Sequence, residues 1–403
     1  MERRAMAGAI REFALDRRKM AFLSGPRQVG KTTLAKSLGS KFPQFVYHNW
    51  DEATFRRTWL KAPNELARAF DLTRAASRGL LVLDEIHKSK GWKSRVKGLY
   101  DEHGEHLGIL VTGSARLNVY KKGSDSLMGR YLNFRLHPLT FGELRGDEPM
   151  EPEAWKASLF QRQRSEGQDT IAALLKFSGF PEPYLARSEK ILNIWRKDRH
   201  EKIIREDLRD LSRIPELSRV EMLASLLPGK VGGPLSVQGL REDLEVSFDT
   251  VKRWLSYLEE LYLFFTVRPW SKSLPRAIKK EPKIYLYDYT EVDGEGARFE
   301  NLLAAHLLKA CHYWTDTGEG EFDLHYLRDK EKREVDFLVT KKKTPWLMVE
   351  AKQSDTTVDR ALAAQFMSRM KCPYVQVVQG DGVWHVKGET GVMSASAFLA
   401  RLP

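Results

Sequence analysis

The sequence predicts an α/β protein in several parts: a parallel sheet wound with helices, then a helical and basic middle, then a second, smaller α/β domain. Three observations predict it. Five short apolar runs, "MAFLSG", "FVYHN", "LLVLDE", "GILVTGS" and "YLNFRL", alternate with helical stretches over residues 1–145, the rhythm of strands joined by crossover helices. Residues 150–230 carry both charge signs in a helical pattern, closed by the break "LPGKVGGP". From 297 onward the pattern runs helix, hairpin, helix and strand.

Composition bounds the rest. The chain has 403 residues, room for about two to four domains; the pattern divides it at 1–148, 149–230, 231–290 and 291–403. It is 42% hydrophobic and 30% charged, which is ordinary for a protein with packed cores. No run of about 18 apolar residues appears, so no membrane span is expected. The opening "MERRAMAGAIREFALDRRKM" is basic and lacks the apolar core of a signal peptide. The two cysteines, Cys311 and Cys372, form no CxxC pair, which argues against zinc and suits a reducing, cytoplasmic setting. The net charge of +12 favours polyanionic partners, nucleic acid before acidic membrane.

The first strand leads into Gly25-Pro26-Arg27-Gln28-Val29-Gly30-Lys31-Thr32-Thr33 and then the helix "KTTLAKSL". GxxxxGK[ST] between strand and helix is a phosphate cradle: the glycines let backbone N–H groups wrap the phosphates, and the helix start adds positive potential. Gly25, Pro26, Gln28, Val29, Gly30 and Thr33 would line it, Lys31 would reach the β/γ-phosphates of ATP, and Thr32 would hold Mg²⁺. "LLVLDE" ends in Asp84 and Glu85. Asp84 would hold the same Mg²⁺ and Glu85 would orient the attacking water. "ILVTGS" ends in Thr112, Gly113 and Ser114, polar tips placed to sense the γ-phosphate between the first and third strands. Arg130, after a helix and before the fifth strand, stands where ring-forming ATPases carry an arginine finger for a neighbour's nucleotide, which predicts a homo-oligomer.

"GPRQVGKTT", "LDEIHK", "VTGSARL" and "GRYLNFRLHPLTFGEL" resemble the AAA+-type P-loop ATPases of bacteria and archaea that carry domain of unknown function 4143. "FSGFPEPYL" at Phe177–Leu185 and "PKIYLYD" at Pro282–Asp288 resemble that second domain. The resemblance spans most of the chain and implies ATP binding and a helix-rich middle.

"SVQGLREDLEVSFDTVKRWLSYLEELYLF" reads as helix, turn, helix, within three helices expected from 235 onward. Ser247 or Asp249 would cap the second helix of the pair. Val251, Leu255, Leu258 and Tyr262 would face inward, with Lys252, Arg253 and Ser256 opposite, toward a DNA groove. The segment that follows holds Arg268, Lys272, Arg276, Lys279, Lys280 and Lys283 against the single acid Glu281, the composition of a winged helix's wing on a phosphate backbone. Trp270 would stack on an unpaired base. The other reading is a winged helix that serves as an ATPase lid or a protein contact. The charged helix before it, "IWRKDRHEKIIREDLRDLSRI", would bury Trp195, Ile203, Ile204, Leu208 and Leu211 and leave most of its arginines in solvent.

Near the C-terminus, Glu334–Thr340 and Trp346–Lys352 read as a hairpin about the loop Lys341–Pro345. Centred on Lys343, it sets Asp336 opposite Glu350 and Glu334 opposite Lys352. Facing carboxylates repel, and Mg²⁺ or Mn²⁺ would turn that repulsion into a site, with Lys352 steadying a water or phosphate. Glu300 leans toward the apolar side of its helix and would join them. "EVDFLV…VEAK" with an upstream helical Glu resembles the PD-(D/E)xK nuclease superfamily, a restriction-endonuclease-like fold, although Val335 stands where its proline would be. Gln365 matches a further position of that pattern. The competing reading is a hairpin with a Glu334–Lys352 ion pair and no metal.

Two functions follow. In the first, an ATP-hydrolysing machine acts on DNA, duplex or branched, which the C-terminal domain recognises or cuts with Mg²⁺. In the second, the nucleotide drives a regulatory switch whose winged helix and inert nuclease-like domain bind protein.

Overall fold

The structure is a computed structural model and describes residues 4–71, 78–113, 127–161, 166–208, 216–271, 281–354 and 356–403. The chain forms two compact units, Met1–His137 and Pro138–Pro403.

The first unit is built on β1 (Met20–Ser24), β2 (Phe45–Asn49), β3 (Gly79–Asp84), β4 (Leu107–Gly113) and β5 (Tyr131–Arg135). These are the five predicted runs. They lie in the order β2-β3-β4-β1-β5, and every pair is parallel. β1, β3 and β4 are buried along their whole length, so they read as unbroken apolar runs rather than as alternation. Their polar side chains, Ser24, Asp84 and Thr112, come at the carboxyl ends, where the register sets Asp84 beside Thr112. That end of an open α/β sheet is where ligands bind. Phe22 stacks on Tyr131 at 4.3 Å, within a core that also holds Trp59 and Trp92.

The second unit opens with the "PLTFGEL" stretch. Thr140 and Glu143 close a capping box on the short helix Phe141–Arg145. Glu143 meets the Lys309 ammonium at 2.7 Å, and His306 Nε2 accepts the Phe141 N–H at 3.1 Å. Helices at Pro152–Ser158, Gln168–Phe177, Pro181–Ala186, Glu189–Glu201 and Leu217–Leu226 follow, as the charged, apolar-striped sequence predicts. Trp195, Ile203, Ile204 and Leu208 are buried as expected; Leu211 lies outside the described residues. The arginines are not all in solvent. Arg199 is fully buried, with its guanidinium 4.7 Å from the Phe180 ring and 5.7 Å from the Trp195 ring. A planar cation can lie against aromatic faces where an ammonium would lose more hydration.

Among the described residues from 235 to 290, two α-helices form where three are expected, Val237–Leu244 and Phe248–Glu260; Leu217–Leu226, before the glycine-proline break, completes a trio. Ser247 caps the second by accepting the Thr250 N–H at 3.1 Å. Its buried stripe is Val251, Trp254, Leu255 and Leu258. Tyr262 falls past the helix end, in the left-handed region at φ 59°, and Trp254 takes the inward place expected of it. The antiparallel strands β6 (Phe264–Pro269) and β7 (Lys283–Leu286) follow, with a lone bridge from Pro234 to Lys283. This is the element order of a winged helix.

β6 also pairs in parallel with β8 (Phe322–Arg328). The hairpin therefore extends a sheet completed by β9 (Glu334–Lys341), β10 (Thr344–Lys352), β11 (Tyr374–Val378), β12 (Trp384–Lys387) and β13 (Thr390–Ser394), in the order β12-β13-β11-β10-β9-β8-β6-β7. The long helix Glu295–Asp316 packs on it through Phe299, Leu302, Leu303, Leu307, Ala310 and Trp314, the i, i+3, i+4 stripe of an amphipathic helix. Buried Asn301 on that helix brackets β7: its Oδ1 accepts the Leu286 N–H and its Nδ2 donates to the Leu286 carbonyl, both at 2.8 Å. β8 is absent from the sequence reading. The β9–β10 loop is also tighter than predicted: Lys342 and Lys343, at φ 51° and 65°, form a two-residue primed turn. A register shift between Pro345 and Leu347 absorbs the difference and restores the pairing Leu338 to Met348 and Phe337 to Val349.

Candidate functional site

The phosphate cradle lies at the carboxyl end of β1. Gly30, at φ 96°, precedes the helix Lys31–Gly39, and Gln28 is left-handed at φ 63°. At Gly25, φ 155°, a Cβ would strike the Leu136 carbonyl, so the turn admits no side chain there. Pro26 and Val29 are buried; Thr33 is exposed. Arg4 braces the loop from outside, donating to the carbonyls of Val29 and His137 at 2.8 Å each. The Lys31 ammonium is buried and donates to the Gly25 and Pro26 carbonyls at 3.0 and 2.8 Å.

Three hydroxyls converge on the buried Asp84 carboxylate. Thr32 and Tyr47 each donate to Oδ2 at 2.7 Å, and Thr112 donates to Oδ1. Tyr47, on β2, is missing from the sequence reading; its place one strand over from Asp84 became visible only with the strand order. Burial, followed by the Asp84 hydrogen bond, pushes its phenol up to about 12. Thr32 and Asp84 supply hard oxygens, the donor type Mg²⁺ takes, so these residues fit that ion. Glu85 follows in the left-handed region at φ 56°. Its N–H donates to the Thr112 carbonyl at 3.0 Å, and its carboxylate lies 3.6 Å from His87 Nε2 and 3.9 Å from Lys88 Nζ. A non-glycine residue in this conformation carries about 1–2 kcal/mol of strain, often found where side-chain aim matters. Ser114 lies outside the described residues. Arg130 stands before β5, at the end of the sheet away from the cradle, and pairs with Asp101 at 2.7 Å. It does not serve the nucleotide site of its own unit.

On the helix Phe248–Glu260, Lys252 and Arg253 are exposed, as is Arg268 on β6. Lys252 rests over the Phe248 ring at 4.5 Å. Lys272, Arg276, Lys279 and Lys280 lie outside the described residues. Trp270 is half-buried against the core of β8, β9 and β10, so much of its ring is already covered. Lys283, read as a wing residue, is 1% exposed and points into the protein.

The C-terminal carboxylates do gather. Asp336 and Glu350 face each other as predicted: Asp336 Oδ2 accepts the Ala351 N–H at 2.9 Å, and Glu350 Oε2 accepts the Asp336 N–H at 3.3 Å. Lys352 reaches Glu350 at 2.9 Å. The Lys283 ammonium fills the other side, 2.5 Å from Glu334, 3.4 Å from Glu300 and 3.7 Å from Asp336. Tyr285 donates to Glu300 at 2.6 Å. Burial, then the Asp336 charge, pushes the carboxyls of Glu300 and Glu350 up to about 7. Burial opposes the charge of Lys283, yet Glu300, Asp336 and Glu334 hold its pKa above the usual lysine value. Among the described residues no three His, Cys, Asp or Glu side chains stand in a metal-holding arrangement. With an ammonium already among them, these carboxylates do not fit a divalent ion. Gln365 is half-exposed on the helix Arg360–Met370, while the buried Gln376 on β11 sits in register beside Glu350. No described helix is long and apolar enough to cross a membrane.

Comparison with known proteins gives these geometries a family setting. Residues 17–145 match the AAA domain family, 168–290 match domain of unknown function 8612, and 295–389 match domain of unknown function 4143. "FSGFPEPYL" and "PKIYLYD", read from the sequence as part of the 4143 domain, fall inside the 8612 match. An uncharacterized protein of Mycobacterium tuberculosis is 26% identical over 348 residues, 81% of this chain and 71% of its own. Another, of Methanocaldococcus jannaschii, is 23% identical over 367 residues, 88% and 79%. A solved Walker-type ATPase of Pyrococcus abyssi superposes with a TM-score of 0.44 at 14% identity, over 72% of this chain and 95% of its own. The stretch that matches the AAA domain family holds the parallel sheet and the cradle, and the stretch that matches domain of unknown function 4143 holds most of the second sheet.

Proposed function

We propose that this protein binds and hydrolyses ATP with Mg²⁺ and uses the cycle to act on DNA, which its C-terminal domain recognises. The observation that carries the reading is the convergence of Thr32, Tyr47 and Thr112 on Asp84, beside a cradle whose Lys31 is already buried. Thr32 and Asp84 would hold Mg²⁺, and the ion would supply charge neutralisation at the phosphates. Lys31 and the N–H groups of the loop bind the phosphates. Glu85 orients the attacking water and takes its proton. Arg130, turned away from its own cradle, serves a neighbouring copy in a homo-oligomer of the cytoplasm.

DNA as substrate is supported by the net charge of +12 and by the exposed Lys252, Arg253 and Arg268 on a winged-helix arrangement. The helix, three antiparallel strands, helix and parallel strand of the C-terminal part are the order of PD-(D/E)xK folds, and such folds outlive their chemistry as binding modules. Recognition is favoured over cutting because Lys283 sits among the acids.

The test is ATP turnover with and without single-stranded, duplex and branched DNA, with the Lys31→Ala and Glu85→Gln proteins alongside. DNA-stimulated turnover that both substitutions abolish is expected. Equal turnover with and without DNA refutes the DNA part; undiminished turnover in Glu85→Gln refutes the catalytic assignment.

A further inference from the structure

Every carboxylate of the C-terminal cluster is tied to something other than solvent. Glu334, Glu300 and Asp336 surround the Lys283 ammonium at 2.5, 3.4 and 3.7 Å, from the start of β9, from the long helix and from within β9. Glu350 is held by Lys352 and by the Asp336 N–H. The ammonium has three N–H donors and three carboxylate neighbours. Its own side chain is 1% exposed, and the Tyr326 ring lies 5.6 Å from it.

The backbone that delivers it is fixed on three sides. Lys283 pairs with Val267 in the β6–β7 ladder and with Pro234 through the lone bridge. Three residues on, Leu286 is clamped by both atoms of the Asn301 amide, next to Glu300 on the same helix. The strand pairing therefore fixes where the Lys283 side chain starts, and its burial and three carboxylate contacts fix where the ammonium ends. Moving it away would leave Glu300, Glu334 and Asp336 together and half-buried, with only Arg328, 3.8 Å from Glu334, to offset them. Adding a divalent ion beside it would place two cations within a few ångströms in a poorly solvated site, where they repel strongly.

We infer that Lys283 is a built-in cation which takes the place of a divalent metal in the carboxylate cluster, so that this site works as a metal-free lock between the winged-helix hairpin and the C-terminal sheet. The lock joins β7, β9 and the long helix by charge, where Asn301 joins β7 to that helix by hydrogen bonds. It leaves Lys352, 42% exposed at its side chain, as the cation at the cluster's outer rim.

The inference is independent of the ATPase reading, and its test contains no nucleotide. Mn²⁺ alone is titrated into the full-length protein and followed by the loss of the free-ion electron paramagnetic resonance signal, with thermal unfolding measured in parallel. Wild type and Asp336→Asn are expected to take up the same amount of Mn²⁺. Lys283→Met is expected to unfold at a lower temperature than wild type, to gain about one Mn²⁺ per chain, and to recover stability when it binds. The double variant Lys283→Met/Asp336→Asn should lose that gain. Stoichiometric Mn²⁺ on wild type that Asp336→Asn removes overturns the inference. So does a folded Lys283→Met protein that gains no Mn²⁺. Should Lys283→Met fail to fold, the comparison of wild type with Asp336→Asn decides alone.

Discussion

Thr32 donates its hydroxyl to Asp84 at 2.7 Å across 52 positions of sequence, tying the start of the P-loop helix to the tip of β3. The bond pre-sets two oxygen donors side by side. Thr32→Val keeps the shape and removes the oxygen. If the proposed site holds ATP with Mg²⁺, the gain in affinity expected of wild type with Mg²⁺ over chelator should shrink by about 10-fold, roughly one hydrogen-bond or ligand equivalent. Binding of a fluorescent ATP analogue with magnesium and with chelator measures it.

Tyr47 holds the same carboxylate oxygen from β2. Tyr47→Phe should lower stability by about 1 kcal/mol, below the usual range for a bond to a charged group, because the phenol is only partly shielded from water. With its pKa raised to about 12, the phenol keeps its proton through neutral pH. The deficit should thus be the same at pH 6 and pH 9 in urea unfolding.

Lys252 and Arg253 project from the exposed side of the helix Phe248–Glu260. If DNA lies there, each contributes a phosphate contact. Replacing either with Ala should weaken DNA binding at every sequence tested and lower the log-log salt slope by about 1. Fluorescence anisotropy over a salt series gives both numbers; an unchanged slope in the double variant removes this helix from the DNA surface.

His306 is neutral by construction. Its Nε2 accepts the Phe141 N–H while Nδ1 lies 2.8 Å from the Leu302 carbonyl, so a second proton would destroy an acceptor. Burial lowers its pKa from 6.5 to about 4. The unfolded chain therefore binds the extra proton first, and stability is full above pH 6.5 and falls as the pH drops toward 4. The loss reaches about 3 kcal/mol. His306→Gln should be less stable at pH 7 yet decline less steeply, as denaturant midpoints at pH 7 and 4.5 would show.

Arg199 donates to the Tyr262 carbonyl at 3.0 Å and packs against Phe180 and Trp195. Burial lowers its pKa, opposed by Glu291 and Asp288. Arg199→Ala should cost about 3–5 kcal/mol, through a cavity and a lost charge partner. Arg199→Lys should not rescue it, because an ammonium cannot spread over two rings. Thermal unfolding of the three proteins separates these effects.

The five strands of the first unit were legible because central parallel strands are buried on both faces and spell apolar runs. The cradle was legible because its glycines and Lys31-Thr32 are adjacent in sequence. β8 was missed although it was legible: Phe322, Leu324 and Tyr326 are buried and alternate with exposed Asp323 and half-exposed His325, the period-two pattern of a half-buried strand. The turn at Lys342 and Lys343 has no glycine or asparagine to mark it. Tyr47, Arg199 and Lys283 share one reason for being missed or misread. A polar side chain is assigned to solvent from sequence, and only the partners brought by other elements justify its burial. The facing pair Asp336 and Glu350 was found by counting from the hairpin centre, whereas the cation between the acids comes from a strand 53 positions before Asp336.

One sheet runs through two family matches, since β6 and β7 fall in the 8612 region and β8 to β12 in the 4143 region. A recombinant fragment that begins at 295 would carry β8 with a raw edge, Glu300 and Asp336 stripped of their lysine, and Glu334 left with Arg328 alone. Such a piece invites aggregation in the expression host. Cloning boundaries for this region belong upstream of Leu217, ahead of the helix trio, so that the acids travel with their lysine.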